Sequence, residues 1–187
     1  KGRGVPFVIH AHGVCSCLMI HLPDQFAEMT CSFGLSDGVV ALSRVDLCFW
    51  AALAPRAFYL PNPLTFDLAR VACSPLEGQD VLWSGRISVE KNPLDAVRIM
   101  GRVAARVPGA RLKLLGKGQD ERLDEQLAAE IDRLGLQNRV VRCGYHKDVE
   151  PFFREASVYL CTSRFEGFPL SLAEAQSHGL PCVMFAL

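Results

Sequence analysis

The chain has 187 residues, half of them hydrophobic, with 20 basic and 20 acidic side chains and no formal net charge. That length supplies one good core and a fragment of a second. The charge balance excludes the basic excess of a nucleic-acid footprint, and no apolar run approaches the length of a membrane span.

Val5-Pro6-Phe7-Val8-Ile9 reads as a short strand that ends at His10-Ala11-His12-Gly13. His10, His12, Cys15, Cys17, His21 and Cys31 bring soft ligands together in sequence. Their C-x-C spacing is not that of a zinc knuckle, so no metal site is expected. Residues 14–37 carry weak periodicity, with Pro23 and Gly34 as breakers, and receive no element. Gly38–Ser43 reads as a buried strand, Arg44–Leu53 as a helix and Ala57–Leu60 as a third strand. Pro61-Asn62-Pro63 closes that strand, because proline cannot continue a ladder and restrains the residue before it. Residues 61–79, with three prolines, one glycine and no period, read as a linker between a unit at 1–60 and one at 80–187.

From Asp80 the pattern becomes regular. Val81–Ser84 is an expected strand, and Asn92–Val107 a helix with Asn92 as its cap and Pro93 next. Arg111–Leu115 is a strand, Asp120–Leu134 a helix stopped by Gly135, and Arg139–Cys143 a strand. Asp148–Ala156 is a short helix, Val158–Cys161 a strand, Leu170–Ser177 a helix stopped by Gly179, and Cys182–Phe185 a last strand near an edge. Such alternation implies an α/β fold, a parallel sheet with helices on both faces. Right-handed crossovers then put every strand-to-helix turn at the carboxyl edge, where ligands bind.

Eight cysteines do not imply disulfides in a chain this long and apolar. Cys143, Cys161 and Cys182 lie in or beside strands, where a thiol behaves as a small hydrophobe; the expectation is a reduced, cytoplasmic protein. The first residue is not methionine and the last residues read as strand, so both ends look cut. An apolar edge left that way is expected to self-associate.

Four turns at the carboxyl edge carry chemistry. Gly85-Arg86-Ile87-Ser88-Val89-Glu90-Lys91 offers an arginine able to grip a diphosphate bidentately and a lysine as point charge; a solvent-facing pair is the plainer alternative. Gly116-Lys117-Gly118 follows a strand as a nucleotide loop does, but no third glycine completes the dinucleotide fingerprint. Tyr145-His146 could lie against a base or simply pack. In Glu166-Gly167-Phe168-Pro169 the glycine gives the turn its freedom and Pro169 suits a first helical position. The amides of Leu170, Ser171 and Leu172 then attract an anion such as phosphate. Glu166 and Glu174 flank that place; dipole pairing and solvation are their plainer roles.

Glu166-Gly-Phe-Pro-Leu-Ser-Leu-Ala-Glu174 resembles the E-x7-E signature of retaining glycosyltransferases of the GT-B fold, family four. The G-R-x4-K turn, the G-x-G turn, the R-V-x-x-x-G strand and E-x7-E occur in the order of that family's Rossmann-like donor domain. The likeness covers residues 80–187 well. Residues 39–62 resemble the end of the acceptor domain, so 1–60 would be its remnant, and His12-Gly13 resembles the family's active-site histidine region.

The resemblance implies that Arg86 and Lys91 bind the donor diphosphate and stabilise the leaving group. It implies that Glu166 holds the sugar hydroxyls and Glu174 the ribose. Gly85, Gly116, Gly118, Gly167 and Phe168 would belong to the donor site, with the amides around Leu170 and Ser171 on phosphate or sugar. The implied reaction transfers a hexose from a nucleotide diphosphate sugar with retention, without metal or other cofactor. The acceptor, whether sugar, lipid or glycan, stays unnamed, and peripheral membrane association of a longer parent, at the inner face, stays open. With the acceptor side reduced, the chain is expected to bind donor without turnover. A nicotinamide-dependent oxidoreductase, a sugar-nucleotide epimerase of the same fold and a non-catalytic nucleotide-sugar binding module are the competing readings.

Overall fold

The computed structural model describes residues 5–11, 23–64, 66–118 and 120–185. His12, Gly13, Cys15, Cys17 and His21 lie outside them. Contacts divide the chain into two compact units, Lys1–Pro63 with Glu166–Pro169, and Leu64–Phe165 with Leu170–Leu187.

The first unit has a parallel three-stranded sheet in the order β1 (Val8–Ala11), β2 (Gly38–Ala41), β3 (Ala57–Tyr59). Helix α1 spans Pro23–Leu35 and α2 spans Arg44–Ala51. Ser43 caps α2 by accepting the Asp46 N–H at 3.0 Å, and its hydroxyl donates to the Asp46 carboxylate at 2.6 Å. Val39, Ala41, Phe33 and a fully buried Trp50 make the core.

Two expectations change here. The first strand begins three residues later than the apolar run, because pairing Val8–Ala11 with Gly38–Ala41 sets its place. Pro6 lacks an N–H for a ladder, and the Phe7 N–H is taken by the Asp37 carboxylate at 2.9 Å. Pro23 does not break a helix but begins one, as a residue whose missing N–H would be orphaned there anyway.

The second unit has a parallel five-stranded sheet, β4 (Asp80–Ser84), β5 (Arg111–Leu115), β6 (Val140–Gly144), β7 (Val158–Cys161) and β8 (Cys182–Met184). Its spatial order is β6-β5-β4-β7-β8. The direction of winding reverses between β4 and β7, and a crevice at the carboxyl ends of two such strands is where open α/β sheets take ligands. Helices α3 (Pro93–Ala104), α4 (Glu121–Arg133), α5 (Glu150–Glu155) and α6 (Leu170–Ser177) connect the strands. The pleat sends Trp83, Leu112 and Leu114 into one core with Val97, Met100 and Leu127. It sends Leu82, Leu115 and Tyr159 into the other with Phe153 and Ala175. Gly135 and Gly179 end α4 and α6 with φ of 65° and 73°, as their sequence positions suggested.

Part of the stretch read as linker packs on this unit. The Ser74 hydroxyl donates to the Ala156 carbonyl at 2.6 Å, and its N–H to the His178 carbonyl at 2.8 Å. Among the described residues six cysteines are free, with Cys161 buried in the sheet. No helix among them is long and apolar enough to cross a membrane, and no group of three His, Cys, Asp or Glu could hold a metal ion.

The amino edge of this sheet is closed by charge. Asp80 takes Arg111 Nε at 2.8 Å and Lys113 Nζ at 3.0 Å, and Lys113 also reaches Glu155 at 2.8 Å. Burial alone would raise the Asp80 carboxyl, but the hydrogen bonds and charges of Arg111 and Lys113 outweigh it and hold it below the usual aspartate value. On the helical layer, Glu130 of α4 accepts from Arg133 at 2.7 Å and from Arg98 of α3 at 2.9 Å. Those bonds, Arg133 first, lower its pKa from 4.5 to about 2.

Both carboxylates titrate lower in the folded state than in the unfolded chain. Their stabilisation is therefore complete above the unfolded values and is lost as pH falls through the folded ones. Thermal melts between pH 7 and pH 2 should show stability declining below about 4.5 toward about 2. Glu130→Gln should lower the neutral-pH melting temperature and flatten that part of the acid profile.

Candidate functional site

The turn from β4 into α3 is held on two sides. Toward β5, the Gly85 N–H donates to the Leu115 carbonyl at 3.0 Å and the Ile87 N–H to that of Lys117 at 3.3 Å. Toward β7, the Arg164 N–H donates to the Glu90 carbonyl at 2.8 Å. Within the turn the Asn92 N–H closes on the Ser88 carbonyl at 3.0 Å. Asn92 precedes α3 with φ 52° and ψ 55°, and its side chain makes no cap to the helix backbone. It donates instead to Asp95 at 2.7 Å, because a left-handed cap residue no longer aims its side chain at the first-turn N–H groups.

Arg86 stands exposed at the mouth of this turn. Among the described residues neither Arg86 nor Lys117 makes an ion pair, whereas Arg111 and Lys113 at the opposite edge are both paired. Lys91 is half-buried, and its stem crosses the Gly85 backbone: a Cβ on Gly85 would sit 3.7 Å from the lysine Cγ and Cδ. Glu90 is held below the ordinary glutamate value, by the adjacent Ser88 hydroxyl first, its own N–H next, and then by Arg86 and Lys91. The Ser88 Oγ makes no hydrogen bond of good geometry, so proximity rather than a formed bond is the cause. Arg86, Ser88, Glu90, Lys117 and Asp120 line a cavity of about 530 Å³.

Gly116 and Gly118 are explained by packing. Gly116 has φ 144°, and a Cβ there would fall 1.8 Å from the Gly85 carbonyl oxygen. A Cβ on Gly118 would meet Ile87 Cβ at 3.0 Å and its carbonyl oxygen at 3.1 Å. The two glycines let the β5 turn lie against the β4 turn, a role that does not need a phosphate. Past them, Tyr145 and His146 join Ser84, Gly85 and Gly116 around a second cavity of about 250 Å³. His146 Nε2 lies 2.9 Å from the Cys143 carbonyl and its ring 4.7 Å from that of Phe152. Tyr145 is 74% exposed.

Helix α6 enters the same crevice from β7. It starts at Leu170, so Pro169 stands just before the helix rather than in it. Its first turn is tied to β4 by the Tyr159 hydroxyl, which lies 2.7 Å from Ser171 Oγ and 3.2 Å from the Ser84 carbonyl oxygen. Ser84 leads directly into Gly85 and Arg86. Glu174 is half-buried, and its carbonyl accepts from Ser177 Oγ at 2.7 Å and faces His178 Nδ1 at 2.8 Å.

Gly85, Arg86, Lys91, Gly116, Gly118, Leu170, Ser171 and Glu174 thus belong to one compact unit. Glu166, Gly167 and Phe168, all half-buried in the segment joining β7 to α6, are grouped by their contacts with the other. Reasoning from sequence passed over Lys117, Tyr159 and Thr162. A tyrosine inside a buried strand was the available signal, since a buried phenol must find a polar partner.

A sequence model of the glycosyl transferases group 1 matches residues 78–187. A poly(glycerol-phosphate) alpha-glucosyltransferase of Bacillus subtilis is 35% identical over 129 residues, covering 68% of this chain and 19% of that protein. A lipopolysaccharide 1,6-galactosyltransferase of Salmonella typhimurium is 36% identical over 107 residues, 54% of this chain and 28% of that protein. Anabaena HepE, solved with UDP and glucose, superposes with a TM-score of 0.79 at 21% identity, over 96% of this chain and 52% of that one. The pneumococcal O-GlcNAc transferase GtfA, solved with UDP and GlcNAc, gives 0.77 at 18%, over 97% and 38%. The chain therefore spans only part of the length of each relative.

The contrast between two glycines tests the packing of the turns. Gly144 also has a positive φ, 72°, but open space where a Cβ would go. Gly144→Ala should cost about 1 kcal/mol, the left-handed penalty alone. Gly116→Ala adds a backbone clash and should cost at least about 2 kcal/mol. Urea denaturation of both variants measures the difference.

Proposed function

The chain belongs to the glycosyl transferases group 1, and on that premise we propose that its second unit binds the nucleotide diphosphate sugar from which a hexose is transferred. The observation that carries this reading is a cation without an ion pair, Arg86, beside Lys91 where the winding of the sheet reverses. Charges at the amino edge of the same sheet are spent on each other. Arg86 and Lys117, at the carboxyl edge, face a cavity.

In this reading Arg86 and Lys91 neutralise the diphosphate and stabilise it as it departs, which is electrostatic stabilisation by groups already in place. The N-terminal amides of α6, near Leu170 and Ser171, add positive potential toward phosphate or sugar. Glu174 accepts two ribose hydroxyl hydrogens, and Glu166 holds the hydroxyls of the sugar. Gly167 and Phe168 shape the turn that carries Glu166. The base lies toward Tyr145 and His146. Two cations and a helix terminus suffice to balance the diphosphate, so the reaction needs no divalent metal, and transfer retains the anomeric configuration. The acceptor, a sugar, lipid or glycan, meets the donor in the longer protein of which the relatives give the scale. The relatives described above are glycosyltransferases, which favours transfer over epimerisation or hydride chemistry.

Calorimetry with UDP, GDP and their nucleosides tests the assignment. Arg86→Ala or Lys91→Ala should weaken diphosphate binding by about 1.5–3 kcal/mol, with nucleoside binding nearly unchanged. Glu174→Gln should weaken UDP or GDP by about 1–3 kcal/mol, because a ribose hydroxyl loses its acceptor. Glu166→Gln should leave nucleotide affinity intact and lower transfer from the sugar donor in the full-length enzyme. Equal losses for nucleoside and diphosphate in the Arg86 and Lys91 variants would count against the diphosphate role.

A further inference from the structure

Thr162 is completely buried just beyond the end of β7. Its hydroxyl accepts the Trp83 indole N–H at 2.9 Å, and its own proton points to two carbonyls, Asn92 at 2.8 Å and Lys91 at 3.0 Å. One side chain thus binds strand β4 and the end of the turn from β4 into α3. The second tie between these segments, Arg164 N–H to the Glu90 carbonyl at 2.8 Å, falls one residue earlier in that turn. Consecutive carbonyls at 90, 91 and 92 are therefore all directed toward the segment that follows β7.

We propose that Thr162 is a positioning residue that sets the main chain of Lys91, and hence the reach of its ammonium group, for binding the donor diphosphate. The proposal rests on the reading of Lys91 given above. Asn92 has φ 52°, a left-handed conformation that costs most non-glycine residues strain and that asparagine tolerates better than most. Its side chain is engaged with Asp95 and its N–H with the Ser88 carbonyl; on the carbonyl side the Thr162 hydroxyl adds a hold from outside the turn. The Asn92 carbonyl also takes the Asp95 N–H at 3.3 Å, so it is the Lys91 carbonyl that would turn to find a donor if the hydroxyl were lost, and the Lys91 side chain would turn with it. Lysine binds an anion as a point charge at the end of a flexible stem, so its anchor decides where the charge sits. Thr162 touches no substrate in this account. Its effect passes through Lys91.

The test compares Thr162→Val, which keeps the shape and removes the hydroxyl, with Thr162→Ser, which keeps the hydroxyl. Lys91→Ala and the Thr162→Val/Lys91→Ala double variant complete the set, each titrated with UDP, GDP and uridine and checked by thermal melting. Thr162→Val should weaken UDP or GDP about tenfold, the loss expected for a misplaced charge-assisted hydrogen bond. Uridine affinity should stay within about twofold. Thr162→Ser should restore diphosphate binding, and the double variant should bind no worse than Lys91→Ala, because both changes remove the same interaction. A merely structural threonine would lower the melting temperature without separating UDP from uridine. If Thr162→Val does not fold, Thr162→Cys, a small side chain with only a weak donor, takes its place with the same expected selectivity. Parent-like UDP binding by a folded Thr162→Val, beside a loss in Lys91→Ala, overturns the positioning role and leaves the Lys91 assignment standing. Parent-like binding by Lys91→Ala overturns that assignment and the positioning role with it, and so does a parent chain that binds neither UDP nor GDP.

Discussion

The carboxyl edge of the second unit depends on main-chain hydrogen bonding that continues past the ends of the strands. Gly85 donates to Leu115 at the end of β5 and Gly116 to Gly144 at the end of β6, so the turns after β4 and β5 are each fastened to the neighbouring strand. A fastening of this kind needs turns that approach as closely as strands do. Gly116 meets that requirement, since its Cα faces the Gly85 carbonyl where no side chain could stand. Arg86 projects from a turn fastened on both sides by main-chain hydrogen bonds, and a cation on such a mount needs little reorganisation when an anion arrives.

Charge is divided between the two edges of the sheet. At the amino edge Asp80, Arg111, Lys113 and Glu155 satisfy one another. Burial would lower the Lys113 pKa, but its bonds to Glu155 and Asp80 outweigh that and raise it above the usual lysine value. At the carboxyl edge Arg86 and Lys117 face open cavities. A chain with no net charge can therefore still present cations without an ion pair at one edge, although Glu90 and Asp120 line the same cavity as Arg86 and Lys117.

The strand β7 and the residue just past it contribute polar side chains where purely apolar ones would have packed as well. Tyr159 spans from the end of β4 to the first turn of α6, and Thr162 spans from Trp83 to the carbonyls of Lys91 and Asn92. Each sits in the core with its polar atom satisfied, the condition under which a buried hydroxyl holds neighbours in register rather than weakening the fold. Both reach across the place where the winding of the sheet reverses. Tyr159 thereby links the strand that leads into the cationic turn to the first turn of α6.

The sequence by itself determined the alternation from Asp80 onward, because strands of four or five apolar residues and strongly amphipathic helices carry their periods locally. Glycine stops at 135 and 179, the turn that bears Arg86 and Lys91, and the helix that bears Glu174 could be read for the same reason. The likeness of E-x7-E and G-R-x4-K to a known family then gave them a chemistry. Local signals failed where pairing decides. The first strand took its place from β2, not from its apolar run, and α1 was hidden because Pro23 reads as a breaker until the helix it opens is seen. Only the tertiary structure decided what Gly116 and Gly118 are for, which cations lack a partner, and what anchors Lys91. Those depend on residues 30 to 80 positions apart meeting at one edge, and no window along the chain contains both members of such a pair.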